Sequence, residues 1–332
     1  MSGEPAQRAG NARGETGPAG GRVPDFFIAG HHKSGTTALH AMLSQHPQIF
    51  MPELKEPHFM ARDRRNRFGQ KDSLPETLEE YLALFEPARG DQLAGEASAS
   101  YVWSRTAASE IARLSPDARI ICVLREPASH LRSLHLGYRR LHWEDRDLRS
   151  AIAVGEERRR GREIPKRCPY PEMVIYADQV NYVEQLERFH AHFPREQVLV
   201  LIYDDFRADN LATMRQIAGF LGIDEEFPFE EVEANRTTRA MRAQGVDDAL
   251  LSLTTGSSRS ARAARSALRV VPRGLRRGAV GGIRRRVVFG PPPAEDPQLM
   301  AELRRRYEPE VVALGEYLDR DLVTLWGYDD LA

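Results

Sequence analysis

The sequence predicts an α/β fold in which a central parallel sheet is flanked by helices, with a flexible basic insert and further helices towards the C-terminal end. Short apolar runs alternate with segments of helical periodicity along most of the chain. The run "ARIICVL" at residues 118–124 is strongly apolar, which is typical of a parallel strand buried on both faces. Strands that alternate with helices in this way favour a parallel sheet with right-handed crossovers.

In the N-terminal half, strand and helix patterns alternate from residue 23 onwards. The first helix ends before Pro47, because the residue preceding a proline is disfavoured in the helical conformation. The segment "SLPETLEEYLALF" opens with a serine and a proline and then becomes amphipathic, which indicates a helix. The predicted elements are strand 23–30, helix 36–45, strand 48–51, helix 73–85, strand 92–97 and helix 106–114.

The C-terminal half continues the alternation up to about residue 223. The last periodic segment, residues 299–318, is predicted to be a helix that is interrupted or starts afresh near Pro309, since proline removes a backbone hydrogen bond inside a helix. The predicted elements are strand 118–124, helix 128–141, helix 180–193, strand 197–206, helix 210–223 and helix 299–318.

Composition limits the possible functions. The chain has 332 residues and a net charge of −1, so any basic binding site must be local. Its two cysteines, Cys122 and Cys168, suggest no disulfide framework, which favours a reducing compartment and a cytoplasmic location. No run reaches the roughly 18 apolar residues of a membrane span, and the N-terminus lacks the apolar segment of a secretory signal.

The domain organisation is predicted to be a disordered tail at residues 1–22 and one domain at residues 23–330 with a low-complexity insert at about 245–295. Residues 254–293 contain ten arginines and no acidic residue. Three interpretations stay open for this insert: a mobile lid, a surface that contacts anionic membranes, and a disordered segment. Nucleic-acid binding is not predicted, because aromatic residues are almost absent from the insert.

The segment "GHHKSGTT" at residues 30–37 joins the first strand to the first helix and predicts a P-loop-like anion site. It matches G-x-x-x-x-G-K-[ST] at Gly30, Gly35 and Thr37, but Thr36 takes the place of the lysine and Lys33 lies inside the loop. Backbone N–H groups at a helix N-terminus favour an anion. We therefore expect a 5′-phosphate in the loop, with Lys33 beyond it at the transferred group.

The buried strand "IICVL" ends in a cation, Arg125, and not in the acid that a nucleotide triphosphatase needs to hold magnesium. A cation at this position suits a second phosphate on the same ligand. Ser133 follows eight residues later, on the helix that opens after Pro127, where its hydroxyl can add a hydrogen bond.

Several ordered segments resemble the sulfotransferases that use 3′-phosphoadenosine 5′-phosphosulfate (PAPS). "KSGTTAL" is similar to their 5′-phosphosulfate loop, and "LREPASHLRSLHLGY" to their 3′-phosphate motif. "KEPHFM" and "GEASASY" are similar to segments of the carbohydrate group, which includes the heparan sulfate enzymes, and of bacterial relatives. The resemblance covers residues 24–242 and 296–328. It implies PAPS as the cofactor, released as adenosine 3′,5′-bisphosphate (PAP).

The resemblance also implies which residues bind the cofactor. "EANRTTRAMR" is similar to a late loop that contacts it, so three late arginines are included. The predicted cofactor-binding residues are Lys33, Ser34, Gly35, Thr36, Thr37, Arg125, Ser133, Arg236, Arg239 and Arg242.

For catalysis, the resemblance assigns Glu56 as the base that takes the proton of the acceptor hydroxyl. Lys33 is expected to stabilise the leaving 5′-phosphate. His58 is the alternative base, because histidine has that role in aryl and steroid relatives. No metal is predicted, since a sulfuryl group carries less charge than a phosphoryl group and the histidines lack the spacing of a helical zinc site; they are expected to be loop or surface residues.

Acceptor contacts are predicted for a set of residues near the second and third strands, together with His58. One position argues against a strongly anionic acceptor: Ala97 lies where the carbohydrate group often has lysine. A neutral sugar, a glycolipid or a glycosylated natural product is expected instead. The predicted acceptor-binding residues are Lys55, Glu96, Ser98, Ser100 and Tyr101.

Two other functions stay open from the sequence. A P-loop kinase or nucleotide triphosphatase could use Asp204 or Asp205 as a magnesium ligand, although the displaced Lys33 argues against it. The second of these functions is that of a non-catalytic protein that binds sulfated or phosphorylated partners.

Overall fold

The structure is a computed structural model that describes residues 21–64, 66–69, 74–232, 240–241 and 289–329. Nearly all of the predicted tail and most of the predicted basic insert lie outside these described residues. The two cysteines are both buried and form no disulfide bond.

Five strands form one parallel sheet, which confirms the predicted fold class. They are β1 (Phe26–Ile28), β2 (Ile49–Phe50), β3 (Leu93–Ala97), β4 (Arg119–Leu124) and β5 (Val198–Ile202). Their order is β2–β3–β1–β4–β5, and every neighbouring pair is parallel. The carboxyl ends of all five strands therefore meet at one edge of the sheet, where ligands bind in open α/β folds.

Helices follow the strands as the periodicity predicts, with short additional turns. Within the described part of the chain, no helix is both long enough and apolar enough to cross a membrane. Among the residues that the structure describes, the α-helices are α1 (Thr36–Leu43), α2 (Leu78–Ala83), α3 (Ala107–Leu114), α4 (Pro127–Arg140), α5 (Leu148–Ala153), α6 (Gly155–Arg159), α7 (Tyr182–His190), α8 (Tyr203–Ala208), α9 (Asn210–Leu221), α10 (Pro297–Leu318) and α11 (Leu322–Trp326). Short 3-10 helices span Pro171–Val174, Tyr176–Val180 and Arg195–Gln197, and a two-residue antiparallel pair is formed by β6 (Ala240–Met241) and β7 (Phe289–Gly290).

The chain groups into two compact units. The first takes in residues up to Glu126, residues 181–234 and residues 316–318, and it contains the whole five-stranded sheet. The second takes in residues 127–180, residues 235–315 and the residues from Asp319 onwards.

The core of the first unit lies between the sheet and its helices. Phe26 of β1 and Met42 of α1 are fully buried in it. Gly95 of β3 lies directly against this packing, because a Cβ atom there would be 2.1 Å from Cζ of Phe26 and 2.5 Å from Sδ of Met51. A larger residue fits at this position only if the side chains of Phe26 and Met51 move.

Strand β5 is shorter than the sequence predicted. The run at residues 197–206 was expected to be one strand, but β5 ends at Ile202 and α8 begins at Tyr203. The last paired residue of β4 is Leu124, opposite Ile202, so the chain has no strand to pair with beyond this point. Two aspartates in the first turn of α8 favour the helix, because they carry negative charge near its N-terminus.

Helix α10 continues through Pro309, although an interruption was predicted there. A proline inside a helix costs about 3 kcal/mol. A buried stripe extends on both sides of the proline, and burial of its large side chains at about 1.5–3 kcal/mol each outweighs the lost hydrogen bond. The large apolar residues of this stripe are Met300, Leu303, Tyr307, Val311 and Leu314.

Candidate active site

The β1–α1 loop (residues 29–35) is tightly packed, and both of its glycines are required. A Cβ atom on Gly30 would lie 2.9 Å from Cγ2 of Thr36 and 3.0 Å from Cβ of Val123. Gly35 has a φ of 86°, and its Cβ would lie 3.2 Å from the ring of Tyr203. The loop therefore turns directly from the sheet into α1, as the glycine pattern predicted.

The start of α1 has the features of an anion site. Lys33 and Gly35 both have left-handed backbone conformations, and α1 has no side-chain N-cap and no acidic residue in its first turn. Its first N–H groups lack intrahelical acceptors, and the helix dipole favours negative charge there. The hydroxyl of Ser34 is buried and has no hydrogen-bond partner among the described residues. These features fit a ligand that offers several anionic oxygens.

Arg125, the first residue after β4, lies against the β1–α1 loop. Its Nη1 donates a hydrogen bond of 2.9 Å to the carbonyl oxygen of Lys33. Its guanidinium carbon lies 4.8 Å from the ring centroid of Tyr203, and the hydroxyl of Tyr182 donates to its carbonyl oxygen at 2.8 Å. The structure thus brings together the two segments that were expected to bind phosphates.

Four of the predicted cofactor residues are not part of this arrangement in the first unit. Ser133 lies on α4 in the second unit and is buried there. Arg236, Arg239 and Arg242 lie outside the described residues. The cofactor roles of all four stay predictions.

Glu56 lies at the centre of a charged cluster beside the same loop. Its Oε1 is 2.5 Å from Nζ of Lys55. Its Oε2 is 3.5 Å from Nε2 of His32 and 3.5 Å from Nε2 of His58. Because His32 immediately precedes Lys33 in the β1–α1 loop, the predicted base lies directly against the predicted anion site.

The segment that carries Glu56 is fixed to the carboxyl end of β3. The N–H of Glu56 donates to the carbonyl oxygen of Ala97 at 3.0 Å, and the N–H of His58 donates to Oγ of Ser98 at 3.0 Å. Nδ1 of His58 lies 2.6 Å from Oγ of Ser100. Glu56 and His58 have φ values of 60° and 53°, which are costly for residues other than glycine. The hydrogen bonds to β3 and the residues after it hold the segment in this conformation.

The electrostatic environment keeps Glu56 ionised. Burial by itself raises the pKa of this carboxyl group, but the contacts with His32 and His58 and the charge of Lys55 outweigh burial and hold its pKa well below the ordinary value. Burial also lowers the pKa of His58 to about 4, against the opposing effect of Glu56. At neutral pH the pair therefore consists of a carboxylate and a neutral imidazole.

Several histidines differ from the expectation that they are simple loop or surface residues. His130 and His135 lie on α4 and are buried, and two histidines of the β1–α1 loop make specific contacts. His31 is fully buried, its Nε2 lies 2.7 Å from Oε1 of Gln185, and burial lowers its pKa to about 3. His32 joins Glu56 and His58, and the three ligand atoms lie within 4.8 Å of one another. The sequence did not indicate this cluster, because its members come from two separate loops; the one available signal was that His32 adjoins Lys33.

Four of the predicted acceptor-binding residues are fully buried, namely Glu96, Ser98, Ser100 and Tyr101. Oε2 of Glu96 accepts hydrogen bonds from the hydroxyl groups of Tyr81 at 2.9 Å and Tyr101 at 2.5 Å. These four residues lie in or just after β3, which is an inner strand of the sheet between β1 and β2. Their burial argues against direct acceptor contact, and the two serines support His58 instead.

The buried carboxyl group of Glu96 predicts a specific pH dependence of stability. Burial is the main cause that raises its pKa from 4.5 to about 7. Between about pH 4.5 and pH 7, the native state therefore binds one more proton than the unfolded state. The contribution of this group to stability is complete below about pH 4.5 and is lost as the pH rises through 7. The shift corresponds to about 3 kcal/mol.

Glu96→Gln mimics the protonated carboxyl group and is expected to remove this dependence. The free energy of unfolding in urea, compared between variant and wild type, should favour the variant by about 3 kcal/mol more at pH 8.5 than at pH 4.5. A difference between the two proteins that does not change with pH would contradict the raised pKa.

Comparison with known proteins agrees with the fold and with these motifs. Residues 24–227, more than half of the chain, match the family model described as "Sulfotransferase family". A sulfotransferase structure from Alicyclobacillus acidocaldarius superposes with a TM-score of 0.66 at 24% identity, covering 91% of this chain and 98% of that one. This likeness supports the fold.

The curated relatives are longer proteins that match a smaller share of this chain. The human protein "Bifunctional heparan sulfate N-deacetylase/N-sulfotransferase 3" is 26% identical over 217 residues, which cover 63% of this chain and 23% of that protein. The mouse protein "Carbohydrate sulfotransferase 15" is 27% identical over 248 residues, which cover 60% of this chain and 44% of that protein. The chain thus spans less than half the length of these curated relatives.

Proposed function

The chain belongs to the sulfotransferase family, and on this premise we propose that it transfers a sulfuryl group from PAPS to an acceptor hydroxyl group. One observation carries the proposal. The carboxylate of Glu56 lies 3.5 Å from Nε2 of His32, in the loop that has the features of an anion site. A proton acceptor beside an anion site is the arrangement that transfer of an anionic group to a hydroxyl requires.

The residues of the first unit fit a donor with separate phosphate groups. In this proposal, Lys33, the first N–H groups of α1 and the hydroxyl of Ser34 bind the 5′-phosphate. Arg125, whose side chain is held between the loop and Tyr203, binds the 3′-phosphate. PAPS supplies the activated sulfuryl group when it is bound.

The protein contributes two charges to the transfer. Glu56 accepts the proton of the acceptor hydroxyl as that oxygen becomes a nucleophile, and a positioned base contributes about 10²–10⁴-fold to the rate. Lys33 neutralises the charge that develops on the departing 5′-phosphate oxygen. His58 is the alternative base, because its imidazole is neutral at neutral pH and contacts the same carboxylate.

We propose a carbohydrate acceptor, either a free sugar, a glycolipid or a glycosylated natural product. Two curated relatives have names that refer to heparan sulfate and to carbohydrate. The residue after Glu96 is Ala97, so the cation that the carbohydrate group often places there is missing. A neutral hydroxyl-bearing acceptor agrees with this absence better than a polyanionic one.

The proposal is tested by transfer of radiolabelled sulfate from PAPS to a panel of sugars, glycolipids and phenols, with EDTA present. We expect label in a carbohydrate product, which mass spectrometry identifies by the added sulfate. Thermal unfolding distinguishes a sulfotransferase from the competing kinase function. If the protein is a sulfotransferase, PAP should raise its unfolding temperature in EDTA. Protection by ATP with magnesium, without protection by PAP, would favour the kinase.

Arg125→Ala is expected to weaken PAP binding selectively. Loss of a hydrogen bond to a charged group costs about 1.5–3 kcal/mol, which corresponds to a roughly 10–150-fold higher Kd. Calorimetry should compare PAP with AMP, which lacks the 3′-phosphate. Because the wild type should prefer PAP, the variant should lose that preference; an equal loss of affinity for both ligands would indicate a displaced loop and contradict the assignment. Arg113→Ala, an exposed arginine on α3, is the control.

A further inference from the structure

The cluster of His32, Glu56 and His58 has the dimensions of a metal site. In a tetrahedral zinc site with bonds of about 2.0–2.1 Å, two ligand atoms lie about 3.3–3.4 Å apart. Nε2 of His32 and Nε2 of His58 are each 3.5 Å from Oε2 of Glu56, and all three atoms lie within 4.8 Å of one another. Small rotations of the side chains would bring all three atoms to bonding distance from one ion.

The donor set also matches, and one of the two histidines has the expected support. Two imidazole nitrogens and one carboxylate oxygen are the protein ligands of a common open zinc site, which leaves a fourth position for water. Metal-binding histidines usually hold their other nitrogen in a hydrogen bond, as Nδ1 of His58 does with Oγ of Ser100 at 2.6 Å. Lys55 contacts Oε1 of Glu56, so Oε2 stays directed at the two histidines.

We propose that His32, Glu56 and His58 bind one divalent transition-metal ion of the zinc class, and that the bound ion inhibits the enzyme. Inhibition follows because the ion would occupy the carboxylate oxygen and the imidazole lone pairs that could accept the acceptor's proton. The inhibitory part rests on the proposed function, whereas metal binding does not. Only 19% of the His32 side chain and 7% of the His58 side chain are exposed, so the site needs little reorganisation.

Binding is tested with the full chain after dialysis against EDTA and then into buffer free of chelator. Calorimetric titration with Zn²⁺, and absorption titration with Co²⁺, should each show one equivalent bound per chain and reversal by EDTA. His32→Asn and His58→Asn should each raise the Kd at least tenfold. His192→Asn removes an exposed histidine outside the cluster and should leave the Kd unchanged. Circular dichroism and the unfolding temperature should confirm that all variants are folded.

Two results would overturn the site: Zn²⁺ binding by the wild type no tighter than by the His32 and His58 variants, or an equal loss of affinity in His192→Asn. Sulfate transfer should fall with added Zn²⁺ with a midpoint near the measured Kd and recover with EDTA. Full activity at saturating Zn²⁺ would overturn the inhibitory part. A complete lack of transfer in EDTA, with every acceptor tested, would overturn the proposed function and the inhibitory part with it, while the titrations would still decide whether the metal site exists.

Discussion

Replacing Glu56 with glutamine is expected to lower kcat for sulfate transfer by about 10²–10⁴-fold. Glutamine has nearly the same shape and can keep a contact between its carbonyl oxygen and Lys55, but it cannot accept a proton. PAP affinity should stay close to that of the wild type, because the residues proposed to bind the phosphates belong to the β1–α1 loop and the end of β4. Steady-state transfer assays and PAP calorimetry on the same preparation measure the two effects separately.

Two variants complete this experiment. Glu53→Gln changes an exposed carboxylate in the same segment and should leave kcat unchanged. His58→Gln distinguishes the alternative base: if Glu56 is the base, this variant should lose less activity than Glu56→Gln. Full turnover in Glu56→Gln, with activity lost in His58→Gln, would assign the base to His58 and show that our assignment is wrong.

Arg158→Met is expected to destabilise the second unit by about 3–5 kcal/mol, because it leaves a buried carboxylate without its counterion. Arg158 and Glu144 are both completely inaccessible to solvent. The guanidinium donates two hydrogen bonds to the carboxylate, at 2.7 and 3.0 Å, and a third to the carbonyl oxygen of Val174 at 2.9 Å. The hydroxyl of Tyr176 donates to the same carboxylate at 3.2 Å. Urea unfolding followed by fluorescence and circular dichroism measures the loss.

The control for this prediction is Arg160→Met, two residues further along the chain. Arg160 is exposed and pairs with Glu157 at the surface, where solvent screens the charges, so its loss should change stability much less. The double variant Glu144→Gln/Arg158→Met removes the uncompensated charge and should recover part of the lost stability. Equal effects of Arg158→Met and Arg160→Met would show that the buried pair does not stabilise the unit.

Most of the sheet could be predicted from the sequence. The run at residues 118–124 became β4, and the glycine-containing turn after β1 led into α1 at Thr36 as expected. The errors occurred where tertiary contacts decided the outcome. Strand β5 ends at Ile202, opposite the last paired residue of β4. Helix α10 continues through Pro309 because its buried apolar residues extend on both sides of the proline.

The site was predictable in its motifs but not in its contacts. Spacing and family resemblance indicated Lys33, Arg125 and Glu56, and the structure places Arg125 against the carbonyl of Lys33. His32 was missed, since its importance depends on a contact with Glu56 from another loop. Glu96 was expected to face the acceptor, but the position of β3 inside the sheet buries it.

The sequence by itself determined the main strands and helices along the chain, the glycine-dependent turn at Gly30 and Gly35, and the family, because these depend on local conformation and on residues close together in the chain. Only the tertiary structure decided which polar groups are buried together, such as Arg158 with Glu144, and which protonation state Glu56 adopts. These properties depend on desolvation and on charges brought within a few ångströms from distant parts of the chain, which no local pattern records.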